Sequence, residues 1–173
     1  NTSPSETEII VQYAKANKDK SIGIITPFTN QRDYISSALK AENLVNVTCG
    51  TVHAFQGDEK DVILFSLAIT DKTHPKTYEW LKNNKELVNV AVSRAKKQLI
   101  VLSSTKELER LHSDIGNDDI YELVQYVKEY QELINYYNAA IKHGCKYFVT
   151  TEHIDFMPRL YTASISSFNI TYL

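Results

Sequence analysis

Val62-Ile63-Leu64-Phe65, inside the stretch 61–69 (Asp61-Val62-Ile63-Leu64-Phe65-Ser66-Leu67-Ala68-Ile69), is too apolar for a sheet with one wet face. A half-solvated strand alternates polar and apolar side chains, whereas an unbroken apolar run bounded by polar residues belongs to a strand covered on both sides. Similar runs lie on either side of it. Ser21-Ile22-Gly23-Ile24-Ile25 comes earlier and is stopped by Thr26-Pro27, and Gln98-Leu99-Ile100-Val101-Leu102-Ser103 comes later. A further strand is expected around 44–48. The segments between them have helical spacing: Tyr34, Ile35, Ala38 and Leu39 within 30–41, and Leu87, Val88, Ala91 and Val92 within 87–95. Buried strands alternating with helices predict an α/β fold for 1–105, a three-layer parallel sheet with helices on both faces.

Ahead of the first strand, Ser3-Pro4-Ser5-Glu6 reads as a helix start. Ser3 caps, Pro4 suits the first helical position, and Glu6 is placed to reach back in a capping box. Ile9, Ile10, Tyr13 and Ala14 mark the inner face. After Thr105 the texture changes, and 106–173 is expected to be an accessory helix and extended segment. A short helix is expected at 107–112, then a break and cap at Gly116-Asn117-Asp118-Asp119. A long helix follows, carried by Leu123, Val124, Val127, Tyr130, Leu133, Ile134, Tyr137 and Ile141 and ended by Gly144. The aromatic stripe of Tyr126, Tyr130 and Tyr137 is read as packing in preference to a platform for bases. The stretch 146–173, rich in Tyr, Phe, Ser, Thr and Ile, is expected to be extended.

A formal net charge of -2 excludes a uniformly basic nucleic-acid glove but not a locally basic groove. Cys49 and Cys145 make neither a metal-ligand spacing nor a disulfide framework, which favours a reduced, intracellular setting, cytoplasmic or nuclear. No apolar run has the length of a membrane span, so no membrane partner is expected. A chain that opens on Asn1 and stops at Tyr172-Leu173 is expected to be a piece of a longer one.

Three segments carry polar residues at fixed offsets from these strands: Gly23-Ile24-Ile25-Thr26-Pro27-Phe28-Thr29-Asn30-Gln31, Thr51-Val52-His53-Ala54-Phe55-Gln56-Gly57-Asp58-Glu59-Lys60-Asp61-Val62-Ile63, and Leu87-Val88-Asn89-Val90-Ala91-Val92-Ser93-Arg94-Ala95-Lys96. Each has a bland reading. Thr-Pro punctuates a strand, Gln56-Gly57-Asp58 makes a tight turn, and Arg94 sits among lysines as a solvated helix residue. Phe28 reads equally well as a core ring.

In order and sheet context, however, the three together resemble the C-terminal RecA-like domain of superfamily 1 helicases. This AAA-type motor domain is closest to the group of RNA-surveillance and Okazaki-fragment-processing helicases. The resemblance covers roughly the first two-thirds of the chain and says nothing of the tail. It implies a shared ATP site in which one domain cradles the phosphates and the other supplies a guanidinium to the charge developing on the γ-phosphoryl group. Arg94 is implied as that finger, because Arg stays charged and its planar fork matches phosphate oxygens. Gly57 would let backbone approach the terminal phosphate, Glu59 would accept from the ribose, and Gln56 would relay between nucleotide and nucleic acid. Thr26, Pro27, Phe28, Thr51 and His53 are implied beside the single strand, the hydroxyls on phosphate and the rings on sugar or base. His53 stands where the common pattern has Asp. It has no metal-like companions, and no protein-held metal site is expected.

The chain contains no G-x-x-x-x-G-K-[ST] loop, acidic magnesium motif or Tyr-Arg nucleotide pair ahead of these segments. ATP and Mg2+ are therefore expected to be held mainly by an upstream RecA-like domain, and this chain alone is not expected to hydrolyse ATP. The implied partners are that domain and single-stranded DNA or RNA, with movement from 5′ to 3′. A RecA-like fold kept as a non-catalytic nucleic-acid- or protein-binding module is the alternative. Retention of Gly57, Glu59 and Arg94 weighs against it.

Overall fold

The computed structural model describes residues 1–55, 58–142 and 169–172. Five parallel strands lie in the order β2-β1-β3-β4-β5: β1 Ile22–Ile25, β2 Thr48–Gly50, β3 Lys60–Ser66, β4 Ala95–Leu102 and β5 Asn169–Tyr172. Helices α1 (Pro4–Ala16) and α2 (Thr29–Ala41) cover one face. The other face carries α3 (Pro75–Lys82), α4 (Glu86–Arg94), α5 (Thr105–Leu111), α6 (Asp119–Lys142) and a 3-10 turn at Val52–Phe55. Strand alternation divides the core accordingly. Ile22, Ile24, Val62, Leu64, Ile100 and Leu102 meet α1 and α2, while Ile25, Ile63, Phe65, Leu99 and Val101 meet the second helical layer. The expected α/β, RecA-like three-layer sheet is what the residues build.

Besides the capping box at Glu6, four local expectations differ from what forms. The strand expected at 44–48 is displaced to Thr48–Gly50. Asn43 takes a left-handed φ of 55°, and the N–H of Leu44 returns to the carbonyl of Leu39 at 3.0 Å. Leu44 is thus the apolar closing residue of a Schellman helix end and not a strand residue. Helix α3 was not expected; Pro75 opens it and His74 caps it through Nδ1, which accepts from Lys76 N–H at 3.1 Å. Strand β4 begins directly after Arg94, earlier than the apolar pattern marks, because Ala95 pairs with Lys60. Tyr34, assigned inward by spacing, is 46% exposed.

The C-terminal part shares the second-layer core. Leu108, Ile120, Leu123, Val124 and Val127 are buried in the same cluster as β3 and β4. Asp118 caps α6, its Oδ1 accepting from Tyr121 N–H at 3.0 Å. Its Oδ2 accepts from the Tyr78 hydroxyl at 2.7 Å and lies 2.9 Å from His112 Nδ1, tying α3, α5 and α6 to one carboxylate. Tyr126 packs against the core and stacks near Tyr130, ring centroids 6.4 Å apart. The helix end assigned to Gly144 lies outside the described residues, as does the tail apart from β5.

The capping box is replaced by a buried polar network. Ser3 Oγ accepts from Glu6 N–H, but the Ser3 N–H donates to Gln31 Oε1 at 2.7 Å. The Glu6 carboxylate turns inward instead, accepting from Ser66 Oγ at 2.6 Å and from Ala68 N–H at 3.1 Å. Gln31 Nε2 donates to Ser66 Oγ at 3.0 Å. This network pins both first-layer helices to the carboxyl end of β3. Burial pushes the Glu6 carboxyl up to about 7, against the pull of its donors. A carboxyl raised in the fold contributes stability that is complete below its ordinary value of 4.5 and is lost as pH rises through about 7. Unfolding free energy should therefore fall between pH 5 and 8 by on the order of 2 kcal/mol from this group. Glu6→Gln should remove that slope in denaturant titrations; equal slopes in both proteins would assign the titration elsewhere.

Candidate functional site

In a parallel sheet the connection from the end of one strand to the start of the next must travel back across a face. Between β2, ending at Gly50, and β3, starting at Lys60, that connection also passes over β1, which lies between them. Residues 51–59 therefore run from the carboxyl edge of the sheet to its amino edge. Phe55, wholly buried, anchors the crossing. It rests on Gly23: a Cβ there would lie 2.8 Å from Phe55 Cε1 and 2.7 Å from Ile63 Cδ1. Gly50 does the same for Ala54, where an added Cβ would sit 2.7 Å away from Ala54 Cβ. The glycines of the first two strands are seats for this crossover.

At the carboxyl edge, Thr26 ends β1 wholly buried. Its N–H donates to Gly50 O at 3.2 Å, and its Oγ1 accepts from Phe28 N–H at 3.4 Å. The Thr26 hydroxyl thus fixes the turn into α2. Pro27 and Phe28 are half-buried, with the Phe28 ring against the second-layer core. Helix α2 begins after Phe28 with no side-chain cap and no acidic residue in its first turn. Thr51 is half-buried, and its carbonyl accepts from Ala54 N–H at 2.9 Å.

At the amino edge stand the start of β3 and the junction of α4 with β4. Helix α4 buries Leu87, Val88 and Ala91 against the sheet and packs beside the 3-10 turn. Arg94 is its last residue, and Ala95 is already extended, so the guanidinium is carried on a junction with no loop. The Arg94 Nε is buried and has no hydrogen-bond partner among the described residues. The neighbouring charges are paired: Lys96 with Glu59 at 3.7 Å, Lys97 with Asp61 at 3.0 Å, and Lys60 with Asp58 at 2.9 Å. Hydrogen bonds from Lys97 and Ser21 hold the half-buried Asp61 carboxyl below its usual range. Glu59 is half-exposed, so its pair with Lys96 is weak and open to exchange.

The expected site residues thus fall on two edges. Arg94 and Glu59 lie together at one; Thr26, Pro27, Phe28 and Thr51 lie at the other. Gln56, Gly57 and the His53 side chain lie outside the described residues. Two residues carry more than their sequence reading assigned. Gln31, in the first quoted segment, is wholly buried in the Glu6 network. Trp80, half-exposed on α3, faces Phe28 with ring centroids 6.2 Å apart. The signal for Trp80 is its phase: Tyr78 and Leu81 turn inward, which leaves Trp80 outside. Among the described residues, no group of three or more His, Cys, Asp or Glu comes together as a metal site. No helix among them is long and apolar enough to cross a membrane.

Comparison with known proteins identifies the family of the domain that carries these residues. A family model described as an AAA domain matches residues 4–106. The chain is 34% identical over 93 residues to the DNA polymerase alpha-associated DNA helicase A of Saccharomyces cerevisiae, covering 53% of this chain and 13% of that protein. It is 34% identical over 108 residues to the regulator of nonsense transcripts 1 homolog of Neurospora crassa, covering 58% of this chain and 10% of that protein. It is 33% identical over 99 residues to the ATP-dependent helicase NAM7 of S. cerevisiae, covering 54% and 10%. The chain spans about a tenth of the length of these relatives.

Proposed function

Because this chain belongs to the AAA domain family of these superfamily 1 helicases, we propose that it is the second motor half of an ATP-dependent nucleic-acid helicase, the half that carries the arginine finger. The observation that carries the reading is the buried Nε of Arg94 at the amino edge, unpartnered among the described residues. Leaving such a donor unsatisfied costs on the order of 1–3 kcal/mol. A phosphate oxygen brought to that edge would recover this. ATP held between this half and an upstream RecA-like half supplies the phosphoryl group whose transfer to water drives the cycle.

The residues of this chain would then divide the work by edge. Arg94 donates to the charge that develops on the phosphoryl oxygens, and its position on a loopless helix-strand junction keeps that donor preorganised. Glu59 leaves its weak pair with Lys96 to accept from a ribose hydroxyl. Gly57 gives backbone close access to phosphate, and Gln56 relays along the crossover. At the carboxyl edge, the uncapped start of α2 and the turn fixed by Thr26 present backbone N–H groups to a phosphodiester. Thr51, Pro27, Phe28 and His53 border the same strand of DNA or RNA. Mg2+ would be held with the nucleotide, mainly by the acidic residues of the upstream half.

The connection from β2 to β3 leads from one edge to the other, so strand binding and phosphoryl transfer would be coupled through the chain between them. ATP hydrolysis by the full-length protein should therefore rise strongly, by about tenfold or more for a coupling of 1–3 kcal/mol, when single-stranded nucleic acid is added. Hydrolysis indifferent to nucleic acid, or none at all, would reduce the chain to a binding module.

A further inference from the structure

We propose that Trp80, backed by Phe28, is a stacking platform for one base of the single strand at the carboxyl edge of the sheet. This rests on the helicase reading above and names a contact that reading does not contain. Trp80 is the chain's single tryptophan, and 50% of it is exposed. The core does not need it, since Tyr78 and Leu81 supply the inward face of α3. Isolated exposed apolar residues are ordinary, but Trp80 is not isolated. The Phe28 ring lies 6.2 Å away at 38°, and Phe28 is itself packed on the second-layer core. A fixed ring beneath a half-open one leaves a π-face held in place at the surface.

Its position and charge select the occupant. Phe28 follows Thr26-Pro27 directly and stands at the uncapped start of α2, so the ring pair adjoins the backbone donors assigned to phosphate. Lys76 lies one turn before Trp80 on the same side of α3, exposed, and no carboxylate among the described residues forms an ion pair with it. The nearby acid, Glu79, is engaged by Lys82 at 3.7 Å and by Asn83 Nδ2 at 3.0 Å. A cation and an aromatic face beside helix N–H groups match a sugar-phosphate chain with a base attached. They do not match an apolar protein surface. Stacking is sequence-tolerant because every base offers a π-face, so this platform holds the strand without reading it.

Trp80 emission reports this residue alone in the 173-residue chain. Emission should be followed during titration with oligo(dT), oligo(U) and an abasic oligomer of equal length, with anisotropy of the dye-labelled oligomers measured in parallel. Both base-bearing oligomers should quench Trp80 in step with anisotropy, while the abasic one binds about tenfold more weakly and quenches little. Trp80→Ala should lose about tenfold or more in affinity, Trp80→Phe should keep most of it, and Tyr34→Ala, the exposed tyrosine on α2, should change nothing. Rising anisotropy with unchanged emission, or equal quenching by the abasic oligomer, would overturn the platform and leave the helicase reading standing. No anisotropy change with any oligomer would bring down both. Emission that shifts with protein concentration alone would give this face to a second copy of the chain and overturn the proposal.

Discussion

Replacing Arg94 with Ala is expected to lower ATP turnover of the full-length protein by about a thousandfold or more while leaving nucleotide affinity nearly unchanged. The asymmetry follows from where the side chain acts. Most phosphate contacts are assigned to the upstream half, so binding survives. A guanidinium that meets charge only as it develops stabilises the transition state and not the ground state. Folding is expected to survive as well. Arg94 Nε has no partner to lose among the described residues, and α4 is held by Leu87, Val88 and Ala91. Arg94→Lys keeps the charge without the planar fork and should recover only a small part of the rate. Steady-state turnover beside equilibrium nucleotide binding distinguishes these cases. Turnover in Arg94→Ala within a few-fold of the parent would remove this residue from the finger role.

Phe55→Ala is expected to destabilise the fold by about 3–5 kcal/mol, lowering the thermal midpoint by roughly 6–20 °C. Phe55 is wholly buried and fills the space above Gly23 together with the side chains of Ile63 and Lys60. Its removal leaves a cavity beneath the crossover that links the two edges of the sheet. The same variant should therefore weaken stimulation of ATP turnover by nucleic acid even at temperatures where it remains folded. Val45→Ala, at a position 89% exposed, should stay within about 0.5 kcal/mol of the parent. Calorimetry of the two variants makes the comparison; a loss below about 1 kcal/mol in Phe55→Ala would mean that the crossover is not anchored there.

Hydrophobic period and turn chemistry alone determined the layered fold. Runs such as Val62-Ile63-Leu64-Phe65 have only one way to be buried on both faces, and a helix such as 30–41 between such runs forces parallel strands. The strand pattern also fixed where the polar segments stand, since a strand end places its next residues, but Arg94 and Glu59 were singled out within them only by the resemblance to a known motor domain. Tertiary structure decided what depends on contacts far apart in the chain. Glu6 has a local partner in Ser3, yet a buried Ser66 and the Ala68 N–H compete for its carboxylate and win. Leu44 has the composition of a strand residue, but the left-handed Asn43 folds it back on α2. Gln31 closes the first quoted segment with no role assigned by the sequence and is a buried strut. The passage of the β2–β3 connection over β1 follows from a strand order in which β1 separates β2 from β3. Order along the chain carries no record of that order across the sheet, because it is set by which apolar faces meet and not by any local preference.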